Sequence, residues 1–267
     1  MNLSQIKGFL ATEELWDESF NNIPQFKFPA INLEGFSLKP IPENIRLGHQ
    51  IEYIFEQLIH HSSRYKTLVF NQPIRNENRT LGELDFILQN TENKAITHVE
   101  LTYKFYIIDP TIPEEIHQLI GPNRKDAFFE KIQKIRDKQF KLLQTKEAQA
   151  FFELKGLEST NIVSKACFKA QLFHPYQKKI ALKTLNKNCI VGFWLRLHDF
   201  LKSNFEKNSY YLLTKQEWIV TPTEDVVWKT QQRILIDIQE KHNQKQAPML
   251  WMKDSNNKLQ KIFIVWW

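Results

Sequence analysis

The chain is poor in the residues that staple or punctuate a fold. Its two cysteines, Cys167 and Cys189, exclude a disulfide framework, and no His or Cys cluster at zinc spacing accompanies them. Seven glycines in 267 residues, with no internal repeat and no low-complexity tract, exclude a solenoid and any long disordered segment. No apolar run approaches the ~20 residues of a membrane span, and residues 1–10 lack the charged-then-apolar order of a signal peptide. The expectation is a cytoplasmic protein with no membrane contact. Oligomeric state leaves no mark.

What is present is core and positive charge. A hydrophobic content of 42% with 13% aromatics suffices for a large core, as one elaborated domain or a domain with an appendage. A net charge of +6 and a pI near 9.1 favour an anionic partner without requiring one. Basic residues concentrate in one stretch, with Arg124, Lys125, Lys131, Lys134, Arg136, Lys138 and Lys141. Such a run is either a solvated helix face or a phosphate-binding surface.

Residues 1–43, rich in Trp, Phe and Pro, read as a short helix followed by an extended wrap anchored by its aromatics. Residues 44–175 read as the principal domain, and residues 176–267 as an extension packed on it. From 45 to about 60, Leu47, Ile51, Ile54, Phe55, Leu58 and Ile59 recur at three- and four-residue steps, the period of an amphipathic helix. Three strand-like runs follow at 67–74, 81–89 and 95–108, separated by polar turns, and read as an antiparallel meander. A single long helix is expected over about 124–149, then a strand over 162–173. That order predicts an α/β fold. Beyond residue 174 strands are expected at 190–197, 210–219 and 262–267, and a helix at 227–244.

Alternation within Leu81-Gly82-Glu83-Leu84-Asp85-Phe86-Ile87-Leu88 places Glu83 and Asp85 on one strand face, opposite Leu84, Phe86 and Leu88. In the next strand His98, Glu100, Thr102 and Lys104 share the face opposite Val99, Leu101, Tyr103 and Phe105. Paired strands lie about 4.8 Å apart, so Asp85 and Glu100, if level, can reach one divalent ion, and hard oxygen donors suit magnesium or manganese. The same residues would also suit the solvent-facing side of a half-buried hairpin. Glu52 lies beside the apolar stripe of the first helix, where a carboxylate needs a partner, a metal or a route to water. Gln139 falls within the apolar face of the long helix, where its amide needs a hydrogen-bond partner.

The series Gly48-x-x-x-Glu52, Gly82-Glu83-Leu84-Asp85, Glu100 followed by Lys104, and Gln139 in the next helix resembles the motif order of the PD-(D/E)XK nuclease superfamily. More narrowly, Arg46-Leu47-Gly48, Thr80 to Phe86, Glu100-Leu101-x-x-Lys104-Phe105-Tyr106 and Gly121-Pro122-Asn123 resemble an uncharacterised bacterial family, domain of unknown function 1853. Fainter similarity continues through Leu172-Phe173-His174-Pro175, Gly192-Phe193-Trp194-Leu195 and Glu217-Trp218.

The superfamily resemblance implies a restriction-endonuclease-like core of helix, three-stranded antiparallel meander, helix and strand, with a C-terminal α/β extension. It implies that Asp85 and Glu100 bind Mg2+ or Mn2+, that Glu52 supports the metal or its water, that Lys104 assists the nucleophile, and that Gln139 holds the site. The implied activity is metal-dependent phosphodiester hydrolysis of nucleic acid, DNA ahead of RNA. One departure stands out: the superfamily places lysine two residues after the acid, where this chain has Thr102. At about 3.3 Å per residue, Lys104 starts roughly 13 Å along the strand from Glu100 instead of roughly 7 Å. The alternative expectation is therefore a catalytically impaired scaffold that binds nucleic acid or a protein partner.

Overall fold

Hydrophobic periodicity becomes regular structure over most of the chain in the computed structural model, which describes residues 1–178, 180–203, 205–223 and 225–267. The elements are α1 (Leu3–Leu10), a two-residue hairpin β1 (Ser19–Phe20) and β2 (Ile23–Pro24), α2 (Leu47–Ser62), β3 (Tyr65–Asn76), β4 (Arg79–Asn90) and β5 (Ile96–Ile108). Next come α3 (Glu115–Gln118), β6 (Leu119–Ile120), α4 (Phe128–Lys134), α5 (Lys146–Leu154), β7 (Ile162–Pro175), β8 (Ile190–Arg196) and α6 (Leu197–Lys202). The chain ends through β9 (Ser209–Leu212), α7 (Gln231–Asn243), β10 (Met249–Lys253) and β11 (Leu259–Val265). The class is mixed α/β. The described residues form two compact units: Met1–Ile6, Glu14–Tyr103 and Glu130–Lys169 make the first, and Lys7–Glu13, Lys104–Phe129 and Ala170–Trp267 the second.

In the first unit the apolar stripe of α2 is buried, with Ile51, Ile54, Phe55, Leu58 and Ile59 at 0–1% exposure. The helix stops where Ser63 turns left-handed at φ 54°. Strands β3, β4 and β5 form the expected antiparallel meander. Phe86 of β4 packs on Phe55 of α2 with ring centroids 4.5 Å apart, and stacks on Phe70 of β3 at 5.1 Å. Leu84 and Ile87 join a second apolar cluster with Leu142, Leu143 and Phe152. The N-terminal segment is pinned by its aromatics, Trp16 against Phe168 at 5.1 Å and Phe28 against Phe55 at 5.2 Å.

The single helix expected over 124–149 is not continuous. α4 passes into a π-helical turn at Ile135–Gln139, then a 3-10 turn at Phe140–Gln144, and α5 restarts with the Thr145 hydroxyl capping Ala148 N–H. A π turn shifts the helical phase by one residue, so side chains before and after it can address one point from different angles. Hydrophobic spacing alone does not register such an insertion.

In the second unit β8 runs parallel to β7 and to β11, and β10 lies antiparallel between β11 and β9. Helix α7 contributes Ile234 and Ile238 to a core with Phe193, Phe200, Tyr210 and Ile262. Gly192 is required by contact: a Cβ there would lie 2.1 Å from the Lys261 carbonyl oxygen. The strand expected over 210–219 is shorter, because a capping box on Thr214 and Glu217 turns the chain into a 3-10 helix.

Candidate functional site

The candidate centre lies in the first unit, at the point where the β4–β5 ladder stops. The last ladder pair is Phe86 with Val99, and the next residues on the two strands are Asp85 and Glu100. In place of a further ladder bond, Asp85 Oδ2 accepts the Leu101 N–H at 2.8 Å. The strand face that could have been solvated is instead covered. His98 is 0% exposed, Glu100 2% and Thr102 3%.

Burying a carboxylate is costly unless its oxygens are paired and hydrogen-bonded. Both oxygens of Glu100 are engaged. Lys131 Nζ of α4 donates to Oε1 at 3.1 Å, and Gln139 Nε2 of the π turn donates to Oε2 at 3.0 Å. The same Gln139 amide lies 3.4 Å from the Glu83 carbonyl. Gly82 leaves room for this arrangement, since a Cβ there would approach Leu142 Cδ2 at 2.9 Å and Gln139 Oε1 at 3.7 Å.

Glu52 enters from α2 through an intermediary. Its Oε2 accepts Asn71 Nδ2 at 2.7 Å and lies 3.1 Å from His49 Nδ1. Asn71 falls between the β3–β4 pairs Phe70–Phe86 and Gln72–Leu84, opposite Asp85 in register. Its φ of 46° is unusual for a strand residue, and local backbone strain of this kind is often held at functional sites. Burial first, then the charges of Glu100 and Glu52, raise the Asp85 carboxyl well above the usual range, opposed by the Leu101 N–H and Lys131. His98, two residues before Glu100, is held down to about 4 by burial despite the pull of that acid, so its ring is neutral at pH 7. One ring nitrogen meets Ser164 Oγ at 3.1 Å, while Nε2 is buried without a partner among the described residues.

Four of the five candidates from the sequence thus gather in the first unit: Glu52, Asp85, Glu100 and Gln139. Lys104 belongs to the second unit, where its amine pairs with Asp126 Oδ2 at 2.8 Å. The amine on Glu100 is that of Lys131. Sequence reasoning placed Lys131 only within the basic run and missed Asn71 altogether. The available signals were small: an asparagine inside a strand-forming run, and a lysine flanked by the buried Phe128 and Ile132. Gly121-Pro122-Asn123 has a packing role, with a Gly121 Cβ excluded by Asp126 Oδ1 at 2.0 Å and Asn123 Oδ1 accepting the Ala247 N–H at 2.7 Å.

Among the described residues no three His, Cys, Asp or Glu side chains form a ready-made cation cage. What the geometry offers is a pair of carboxylates one step past a ladder, the number that magnesium commonly takes alongside water and substrate phosphate. Burial is the first cause of the raised Asp85 carboxyl, and the charges of Glu100 and Glu52, which a divalent ion would offset, add to it. Among the described residues no helix is long and apolar enough to cross a membrane. No curated protein and no solved structure matches the chain. Residues 15–265 match the family described as Domain of unknown function (DUF1853), and the chain belongs to that family.

Proposed function

We propose that this protein is a metal-dependent phosphodiesterase of the PD-(D/E)XK nuclease type, acting on nucleic acid, DNA ahead of RNA. The observation that carries the reading is the buried Glu100 carboxylate, held by Lys131 and Gln139 one residue past the ladder from Asp85. The order of α2, the β3–β4–β5 meander, the broken helix and β7 agrees with a restriction-endonuclease-like core.

In this reading Asp85 and Glu100 are the donors for Mg2+ or Mn2+. When bound, such an ion lowers the pKa of a coordinated water and neutralises a phosphate oxygen. Lys131 takes the part that the resemblance assigned to Lys104. Its ammonium, 3.1 Å from Glu100, is placed to orient a water beside that acid and to offset charge developing on the phosphate. Gln139 fixes the Glu100 rotamer, and Glu52, steadied by Asn71 and His49, accepts hydrogen bonds at the periphery. The exposed Lys134, Lys138 and Lys141 supply a basic approach for the sugar-phosphate backbone. Thr102, at the position where the superfamily has lysine, favours the second reading, a scaffold that binds without cutting.

The test is to incubate purified protein with plasmid, single-stranded DNA and RNA in magnesium or manganese. Metal-dependent cleavage lost in Glu100→Ala and in Lys131→Met is expected. Cleavage by Glu100→Ala at the wild-type rate would remove this site from the chemistry. Salt-sensitive binding without turnover would leave the scaffold.

A further inference from the structure

We propose that a cleft lying wholly within the second unit is a nucleotide-binding site, which receives a planar base against Trp194 and Trp267 and a phosphate at Arg196 and Lys202. The cleft has a volume of about 570 Å³, within the several-hundred-Å³ range of small-molecule sites. It is lined by groups from β8, α6 and the C-terminal segment, and it does not depend on Asp85 or Glu100.

Its aromatic wall is pre-positioned. Trp194 Nε1 donates to the Ile108 carbonyl at 3.0 Å and Trp267 Nε1 to the Pro122 carbonyl at 3.1 Å. Each indole is thereby held by its polar edge, and the two ring centroids are 5.6 Å apart. Fixed aromatic faces lose little entropy when a base stacks on them. The Arg124 guanidinium lies 3.6 Å from the Trp267 ring centroid and holds that indole by one face.

The charges on the wall are unevenly committed. Asp109 is occupied by Arg124 at 4.0 Å and by the Thr111 N–H and hydroxyl, at 3.0 and 2.6 Å. Asp199 is engaged by His198 at 3.1 Å. Arg196 and Lys202, both exposed, have no acidic partner within 4 Å among the described residues. Two uncommitted cations beside fixed indoles match a ligand that combines one anionic group with one planar ring. A nucleotide has that composition, whether free or as a unit of a single strand, and Arg suits phosphate recognition.

Calorimetric titration of the whole protein with adenosine monophosphate, a short single-stranded oligonucleotide, adenosine and inorganic phosphate tests the assignment. Saturable binding of the monophosphate, or of the oligonucleotide, is expected, with adenosine and phosphate at least about tenfold weaker. Binding of the monophosphate alone identifies a free nucleotide as the ligand, and binding of the oligonucleotide that the Arg196→Ala/Lys202→Ala variant loses identifies a strand. Trp267→Ala should weaken binding about 5- to 150-fold, the range for loss of one stacked base. The double variant Arg196→Ala/Lys202→Ala changes only exposed groups, so it keeps the test open if Trp267→Ala fails to fold; it should also bind at least about tenfold less tightly. The proposal is overturned if neither nucleotide probe binds, if phosphate or adenosine binds as well as the monophosphate, or if the folded double variant binds like wild type.

Discussion

Removing the Lys131 ammonium should expose the cost of the acid it holds. Glu100 is 2% exposed and has two donors, Lys131 and Gln139. Lys131→Met keeps the aliphatic volume and leaves the carboxylate with the glutamine amide, close to the Asp85 carboxyl whose pKa its charge helps to raise after burial. Breaking a buried pair by removing one partner costs about 3–5 kcal/mol. The Lys131 side chain retains 18% exposure, so the lower end, about 3 kcal/mol, applies. For a chain of this size that is a fall in Tm of roughly 6–12 °C at pH 7. Lys131→Met/Glu100→Gln should recover most of the loss, because neither buried charge remains. Thermal unfolding followed by circular dichroism at pH 7 reads both effects. A Lys131→Met protein with wild-type Tm at pH 7 would refute the ion pair as a determinant of the site.

Asp85 gives the opposite sign. Its folded-state pKa is raised, so its contribution favours folding at low pH and is lost as pH rises through the raised value; Asp85→Asn should therefore stabilise the protein at pH 7 by about 1 kcal/mol while abolishing any metal-dependent cleavage, and an unchanged or lower Tm would contradict this. Gly82→Val should cost about 2 kcal/mol through crowding of Leu142 and reduce activity by displacing Gln139, which unfolding and turnover measurements on one preparation would check. Lys261 is buried, donates to Gln171 Oε1 and the Trp218 carbonyl at 2.7 Å each, and is pushed down to about 7 by burial. The folded state then binds fewer protons than the unfolded between about 7 and 10.5, so this group's contribution to stability rises with pH across that window; Lys261→Met should flatten the pH–Tm curve there, and an unchanged slope would count against the depressed value.

The helix-then-meander order was legible because period and polarity are local properties. Ile51, Ile54, Phe55, Leu58 and Ile59 point one way on any helix, and the β3–β4–β5 hairpins follow from alternation and polar turns. Asp85 and Glu100 were legible for the same reason, as polar residues on strand faces. The burial of Glu100 was not, since alternation says which residues share a face and not what covers it. The interrupted helix escaped notice because Phe128, Ile132, Ile135 and Leu142 keep a helical rhythm whether or not a π turn intervenes.

The sequence by itself determined the acids, the amide and the order in which they occur along helix, strands and helix, all of which depend on neighbours a few residues apart. Only the tertiary structure decided which cation serves Glu100. Lys104 lies four positions along the same strand, but its amine is taken by Asp126; Lys131, thirty-one residues away, reaches the acid from a helix. Asn71 joins Glu52 because strand register sets it opposite Asp85. Side-chain partnership depends on register, on the phase change at the π turn and on what else competes for each charge. Those are distances in space, which separation along the chain does not encode.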